Sequence, residues 1–183
     1  YQWTVSMGGN DTTTGSSPAY ESTVGAYSWN DPSNPPATAG WTHTSNWTAL
    51  TLTDAANLTV TLARTTAGAG GLVPAFSLWQ GQDLSAPNSH NFNNAGAIDW
   101  APGLTFLGNE ANLGGLSSIT KVFSLAAGQY TLNFGGNPSS GQAVPQGYLA
   151  TLTTAPVPLP AAVWLFGSGL ASLVAMARRR KAA

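Results

Sequence analysis

The chain has 183 residues and a hydrophobic fraction of 43%, which is enough to bury the core of one domain and argues against disorder. It contains no cysteine, so disulfides, thiolate catalysis and cysteine-based metal sites are excluded. Upstream of Pro156 the seven acidic residues face only Arg64 and Lys121, a net charge of about −5. The absence of a basic patch argues against nucleic-acid binding.

The hydrophobic pattern between residues 1 and 155 alternates with a period of two, and β-branched residues dominate the alternating stretches. No stretch has the period of an amphipathic helix. In chain order, the predicted strands are residues 2–6, 49–53, 58–63, 75–79, 121–125, 129–134 and 148–153. This series of short strands predicts an all-β fold, an antiparallel two-sheet sandwich of jelly-roll type.

Turn-forming residues separate the strands. Segments 54–57 and 126–128 are predicted to close two hairpins. Four segments rich in Gly, Asn and Pro are predicted loops, where binding residues are expected: 8–17, 31–40, 80–96 and 135–147. Residues 123–132 and 147–152 resemble the closing strands of bacterial pre-peptidase-like β-sandwich modules. That resemblance implies the fold and carries no chemistry.

The C-terminal segment differs from the body. The stretch Val157-Pro-Leu-Pro160 precedes an uncharged apolar run, 161–177, and then Arg178, Arg179, Arg180 and Lys181. A helix rising about 1.5 Å per residue would carry this run across about 25 Å, enough for a thin bilayer core. The cations would then stay on the cytoplasmic side.

This order of proline motif, apolar run and arginines resembles the PEP-CTERM sorting signal of Gram-negative bacteria, although Val-Pro-Leu-Pro departs from the literal Pro-Glu-Pro. The resemblance implies two parts: a β-sandwich domain over 1–155, and a sorting signal with a short transmembrane helix over 156–183. It further implies transient membrane anchoring, processing by an exosortase, and export to the cell surface, the outer membrane or the extracellular space.

Catalytic motifs are missing. No Gly-x-Ser-x-Gly elbow is present, and the acidic residues show no paired spacing for glycoside hydrolysis. The glycine-rich stretch at 68–71 lacks the Lys-Ser/Thr of a phosphate-binding loop and precedes Pro74. We therefore expect no enzymatic activity.

The two histidines are the remaining candidates for chemistry. Alternate residues of an extended strand share a face at about 7 Å, so Trp41 and His43 are expected to project together. His90 is the other histidine of the chain. Imidazole suits copper and zinc, and Cu(I) accepts low coordination numbers. The structural alternative is that His43 is a solvated polar residue and Trp41 packs against the core or its rim.

A Trp-x-His motif at Trp41 and His43, in a cysteine-free and exported β domain with a later histidine, resembles the surface Cu(I)-binding proteins of methanotrophs, the MopE/CorA type. In that family two histidines hold copper together with kynurenine, formed from the tryptophan two positions before the first histidine, with a water nearby. The resemblance implies that Trp41 becomes kynurenine and that His43 is the first ligand, and His90 is the second by elimination. Kynurenine offers an aromatic amine, whereas the indole N–H only donates.

The family resemblance implies an extracellular surface protein that binds one Cu(I) ion for copper acquisition or buffering. One alternative is a PEP-CTERM structural or biofilm-matrix protein without a metal site, which contacts exopolysaccharide. In that case exposed aromatic side chains would stack on sugars unless they fill the core, namely Trp29, Trp47, Trp79 and Trp100. Calcium binding by Asp83, Asn88 and Asp99 could accompany either function, although no Asp-x-Asp-x-Asp-Gly loop is present.

Overall fold

The computed structural model describes residues 1–9, 18–30, 39–68, 70–84, 87, 89–138 and 145–158. Within these ranges the chain forms strands and no helix, and therefore no helix long and apolar enough to cross a membrane. In chain order the strands are β1 (Trp3–Met7), β2 (Ala19–Val24), β3 (Ala39–Trp41), β4 (Asn46–Leu52), β5 (Ala56–Gly68), β6 (Leu72–Gln80), β7 (Asn91–Asn93), β8 (Thr105–Glu110), β9 (Ser118–Leu125), β10 (Gly128–Pro138) and β11 (Gln146–Pro156). The predicted C-terminal helix lies outside the described residues.

The strands form two large sheets and a small ribbon. Sheet A has the strand order β1-β4-β10-β6-β8, sheet B has the order β2-β11-β5-β9, and β3 pairs with β7 in the ribbon. If β1 and the ribbon are left aside, the remaining eight strands are antiparallel and follow the strand order of a jelly roll. The prediction of an all-β, two-sheet fold is therefore confirmed.

The arrangement is not purely antiparallel, because β1 runs parallel to β4 at the edge of sheet A. Strand β1 contributes Val5 and Met7 to the core between the sheets. An alternating apolar pattern indicates which face of a strand is buried but not the direction in which the strand runs. The sequence therefore could not distinguish parallel from antiparallel pairing of β1 with β4.

Both predicted hairpins are wrong. Residues 54–57 connect β4 to β5 and include the first two residues of β5, and residues 126–128 connect β9 to β10 and include the first residue of β10. In each case the two strands belong to different sheets. The turn residues reverse the chain as predicted. The partner of each strand is instead decided by the jelly-roll crossing from one sheet to the other, which buries the apolar face of both strands in one core.

Each of the seven predicted strands corresponds to an observed strand, and β2, β3, β7 and β8 were not predicted. Strand β10 also continues to Pro138, into a segment predicted as loop. The edge strand β2, with the sequence AYESTV, buries only Val24 and is held to β11 by backbone pairing. Strands that bury so little apolar surface leave no alternating pattern in the sequence.

Apolar side chains form two clusters. The main core lies between sheets A and B and includes Leu50, Leu62, Phe76, Leu132 and Tyr148. A smaller cluster of Trp79, Phe92, Ile98, Ala101 and Leu104 lies on the other face of sheet A, because Trp79 follows the core residue Leu78 and successive side chains of a strand point to opposite faces. The segment that carries β7 covers this face and thereby fixes one half of the ribbon.

Candidate metal centre

The ribbon holds Trp41 and His90 side by side. Trp41 ends β3 and is paired with Asn91 of β7, while the backbone N–H of Thr42 donates to the carbonyl oxygen of His90 at 2.8 Å. The two strands approach closely because residue 40 is glycine. A Cβ atom there would lie 2.6 Å from two ring carbons of Phe92. Two residues far apart in the sequence are thus fixed next to each other.

A tight turn places His43. The carbonyl oxygen of Trp41 accepts hydrogen bonds from the backbone N–H of Thr44 at 3.3 Å, from Thr44 Oγ1 at 3.1 Å and from Ser45 Oγ at 2.6 Å. The prediction that Trp41 and His43 share one face of an extended strand is wrong, since the strand ends at Trp41 and a turn follows. The turn nevertheless brings the two rings together.

Three rings converge at this point. The ring centroids of His43 and His90 are 4.5 Å apart, those of Trp41 and His90 are 4.5 Å apart, and those of Trp41 and His43 are 5.9 Å apart. Both imidazoles are exposed and Trp41 is half-buried. Two imidazoles at this separation can each direct a ring nitrogen at one ion, because metal–nitrogen distances are about 2 Å.

Tyr27 contacts Trp41 through both its backbone and its ring. Its carbonyl oxygen accepts the backbone N–H of Trp41 at 2.8 Å, and the two ring centroids are 4.8 Å apart. Tyr27 has a φ of 51°, in the left-handed region that residues other than glycine seldom adopt. Such a conformation persists only where the surrounding contacts impose it.

The available donors favour a soft ion that accepts few ligands. Within the described ranges, no group of three or more His, Cys, Asp or Glu residues is placed to hold a metal. Asp83 and Asp99 do not form such a group, and Asn88 lies outside the described residues, so calcium binding there stays a prediction. Two imidazoles beside an aromatic residue suit Cu(I) better than Ca²⁺, which takes six to eight oxygen ligands.

Both histidines open onto a cleft with a volume of about 720 Å³. Its walls include the aromatic side chains of Trp47 and Trp100. The indole N–H of Trp47 donates to the carbonyl oxygen of Thr42 at 3.1 Å, and that of Trp100 donates to the carbonyl oxygen of Asn91 at 3.0 Å. These two indoles therefore tie the ends of both ribbon strands to the apolar cluster on sheet A.

The other two tryptophans considered for sugar stacking are buried. Trp29 is 6% exposed and Trp79 is fully buried. Their indole N–H groups donate to Ser77 Oγ and to the carbonyl oxygen of Gly96, each at 2.8 Å. Only Trp47 and Trp100 of this set offer ring surface to a ligand.

Comparison with known proteins identifies the family of the chain. Residues 3–143 match the family described as copper(I)-binding protein CorA-like. The chain belongs to this family. A comparison with curated proteins found no match.

Two of the solved structures that resemble this chain are of copper-binding proteins. One is CorA, a surface-associated copper-binding protein important in copper acquisition in Methylomicrobium album BG8, with 20% identity, coverage of 82% of this chain and 99% of that one, and a TM-score of 0.58. The other is the secreted protein MopE of Methylococcus capsulatus, in a mercury-soaked form, in which an oxidized tryptophan facilitates copper binding. It has 14% identity, coverage of 80% and 86%, and a TM-score of 0.47. At 20% identity the likeness to CorA shows the fold.

In this CorA-like chain the sequence analysis predicted Trp41, His43 and His90 as candidate ligands. It did not predict the residues that position them. Tyr27, Gly40 and Ser45 carry no motif, because their roles depend on a backbone angle, a close approach and a turn. The cleft residues come from the N-terminus, from the segment around Leu84 and from Trp100. No local pattern connects positions that only the fold brings together.

Proposed function

We propose that this protein binds one Cu(I) ion through the imidazoles of His43 and His90, with Trp41, as kynurenine, completing the site. Its role is copper acquisition or buffering, without turnover. The observation that carries the proposal is the 4.5 Å separation of the two imidazole rings, with Trp41 equally close to His90. Membership of the copper(I)-binding CorA-like family supports the choice of metal.

The conversion of Trp41 supplies a donor that tryptophan lacks. Dioxygen cleaves the pyrrole double bond of the indole, both oxygen atoms enter the product, and hydrolysis then releases formate. The remaining kynurenine carries a free aromatic amine, whereas the intact indole N–H can only donate. The ring of Trp41 already lies against that of His90, so the new amine would form beside the imidazoles.

We further propose that the protein is exported and resides at the cell surface, the outer membrane or outside the cell. The surface association of CorA and the secretion of MopE support this location. In this proposal the segment 156–183 is a PEP-CTERM sorting signal that anchors the chain transiently and is processed by an exosortase. A matrix protein that contacts exopolysaccharide remains the second candidate, favoured by the ring surface of Trp47 and Trp100 in the cleft.

Single substitutions test the site. Since each imidazole supplies one of few ligands, we expect His43→Ala and His90→Ala each to lower Cu(I) affinity by at least about 100-fold, and Trp41→Phe by about tenfold. Affinity is measured by competition with a chromophoric Cu(I) chelator. Ser124→Ala, an exposed position on β9, is the control. Wild-type affinity in both histidine variants would refute the site and favour the matrix function.

Protein purified from its native host should carry the modified residue. Intact-mass spectrometry is expected to show about 4 Da above the unmodified chain, because one carbon is lost and one oxygen gained when the donating indole is opened. Protein from a heterologous host with unmodified Trp41 should bind Cu(I) more weakly. Equal affinities for the two forms would contradict a ligand role for kynurenine.

A further inference from the structure

The cleft beside the two histidines is much larger than a metal ion. Its volume of about 720 Å³ falls within the range of roughly 300 to 1,000 Å³ that small-molecule sites occupy. A bound water molecule, by comparison, takes about 30 Å³. The imidazoles of His43 and His90 thus lie at the wall of a space that can admit an organic molecule together with the ion.

Several polar groups of the lining are already hydrogen bonded, and the buried Thr42 Oγ1 is one that has no partner among the described residues. The indole N–H groups of Trp47 and Trp100 already donate to backbone carbonyls, so both side chains offer ring surface. The Tyr1 hydroxyl lies 2.9 Å from Thr131 Oγ1 and accepts the backbone N–H of Asp83 at 2.9 Å, and Gln2 Oε1 accepts the backbone N–H of Trp47. An occupant of this cleft is therefore recognised by aromatic and apolar contact rather than by many hydrogen bonds.

The charge of the chain around the cleft favours a cation. The described lining itself is balanced, with the carboxylate of Asp83, the α-amino group of Tyr1 and no Lys or Arg side chain. The chain upstream of Pro156 is itself acidic, with seven acidic residues against two basic ones. An anionic ligand would meet repulsion here, whereas a Cu(I) complex with an uncharged chelator carries one positive charge.

We propose that this cleft receives copper as a Cu(I) complex with a small, uncharged, planar aromatic chelator that has two nitrogen donors. The inference rests on the proposed function, because His43 and His90 are the ligands that take the ion. Two imidazoles leave two positions of a tetrahedral Cu(I) ion, and the chelator fills both. Transfer is a ligand exchange with no change of oxidation state: the chelator departs and Trp41, as kynurenine, takes its place.

The test uses neocuproine, an uncharged dimethylated phenanthroline, and the full-length chain with unmodified Trp41, which has no aromatic amine to displace the chelator. Protein, Cu(I) and neocuproine are mixed in equal amounts and separated by gel filtration, and the neocuproine content of each fraction is measured by mass spectrometry. We expect one neocuproine per copper to elute with the protein, and none when copper is omitted. Bathocuproine disulfonate, an anionic relative, should not elute with the protein even when copper is present.

A matched pair of surface leucines tests where the chelator lies. Leu84 lines the cleft and is 87% exposed, whereas Leu113 lies outside it and is 97% exposed. Because it removes apolar contact, Leu84→Ala should weaken retention of the chelator about fivefold and leave the affinity for bare Cu(I) unchanged. Leu113→Ala should change neither value. Both positions are exposed, so neither substitution endangers the fold.

The outcomes separate the two proposals. If bare Cu(I) binds and neocuproine never elutes with the protein, the cleft inference is overturned and the copper site stands. Equal retention of the anionic chelator, or equal effects of Leu84→Ala and Leu113→Ala, would overturn the inference as well. If neither bare Cu(I) nor the complex binds, both proposals fail.

Discussion

Tyr27 illustrates how a single residue prepares the site. Its left-handed backbone, with a φ of 51°, is a conformation that costs a side-chain-bearing residue about 1 to 2 kcal/mol. The carbonyl oxygen of the same residue accepts the backbone N–H of Trp41, and its ring packs against the indole at an interplanar angle of 57°. The strain is therefore offset by contacts made to Trp41, the aromatic residue of the proposed metal site.

Substitutions at Tyr27 distinguish the contribution of its ring from that of its backbone. Tyr27→Phe keeps the ring and should bind Cu(I) as the wild type does. Tyr27→Ala and Tyr27→Gly both lose the ring, so the side chain of Trp41 is held less firmly. We therefore expect Cu(I) affinity to fall about three- to tenfold, which corresponds to about 1 kcal/mol. Near-ultraviolet circular dichroism should lose aromatic signal in both. Wild-type affinity in Tyr27→Ala would show that the ring does not position Trp41.

The sequence predicted Trp41, His43 and His90 because rare residue types stand out in a cysteine-free chain. It gave no sign of Tyr27, because a tyrosine in a segment rich in Ser and Gly carries no mark of its backbone angle. It also predicted the proximity of Trp41 and His43 for the wrong reason. A turn closed by Ser45, not an extended strand, brings these rings together.

At the scale of an element, the ribbon of β3 and β7 is the structure that joins the two histidines. Each strand has only three residues, and the pair lies outside both large sheets. Three residues are too few for an alternating pattern, and both strands fall in or at the edge of segments rich in Gly, Asn and Pro. Such strands exist because tertiary contacts hold them, which sequence periodicity does not report.

Gly40 is the position where the ribbon is most sensitive. Gly40→Ala would place a methyl group 2.6 Å from the ring of Phe92 and 2.7 Å from Asn94 Oδ1, so β3 and β7 must separate. We expect a loss of about 1 to 3 kcal/mol in the free energy of unfolding, together with weaker Cu(I) binding as His90 moves. Denaturant titration and copper competition measure the two effects.

Gly114→Ala is the control for this substitution, because the nearest atom to its added methyl group is 3.7 Å away, an ordinary contact. It should leave both stability and copper affinity unchanged. If Gly40→Ala destabilised the protein without any loss of copper affinity, the ribbon would not be the element that sets the distance between the histidines.

Across the whole molecule, the two sheets are joined by buried polar contacts as well as apolar ones. Asn46 Nδ2 of sheet A donates to the Tyr148 hydroxyl of sheet B at 2.8 Å, and the Tyr148 ring packs against Phe134 with centroids 5.8 Å apart. Burial raises the pKa of Tyr148 well above its ordinary value of 10.0, and the hydrogen bond from Asn46 offsets part of that rise.

Stability should therefore decline at alkaline pH. The folded pKa of Tyr148 lies above the unfolded value of 10.0, so the stabilisation from the neutral hydroxyl is complete below pH 10.0 and is lost as the pH rises above it. We expect the free energy of unfolding to fall by about 1.4 kcal/mol per pH unit more steeply in the wild type than in Tyr148→Phe. Denaturant titrations across this range measure both slopes, and parallel slopes would contradict the assignment.

The fold class could be predicted because the strands that face the core carry alternating apolar residues, as in β5, where Leu58, Val60 and Leu62 are fully buried. The connections could not be predicted in the same way. A turn such as residues 54–57 looks the same whether the next strand pairs with the previous one or crosses to the other sheet. That choice is made by the packing of the whole sandwich, which no local segment contains.

The placement of the ribbon has an evolutionary consequence. Since both imidazoles are exposed and both histidines lie beside the ribbon strands, outside the two sheets, replacing either histidine leaves the core packing intact, and surface changes of this kind shift stability by only about 0.5 kcal/mol. A descendant of this chain can therefore lose either histidine, and with it the proposed metal site, while every strand of the sandwich stays in place. Selection for folding alone does not conserve positions 43 and 90. A histidine retained at both positions is therefore a mark of selection for metal binding.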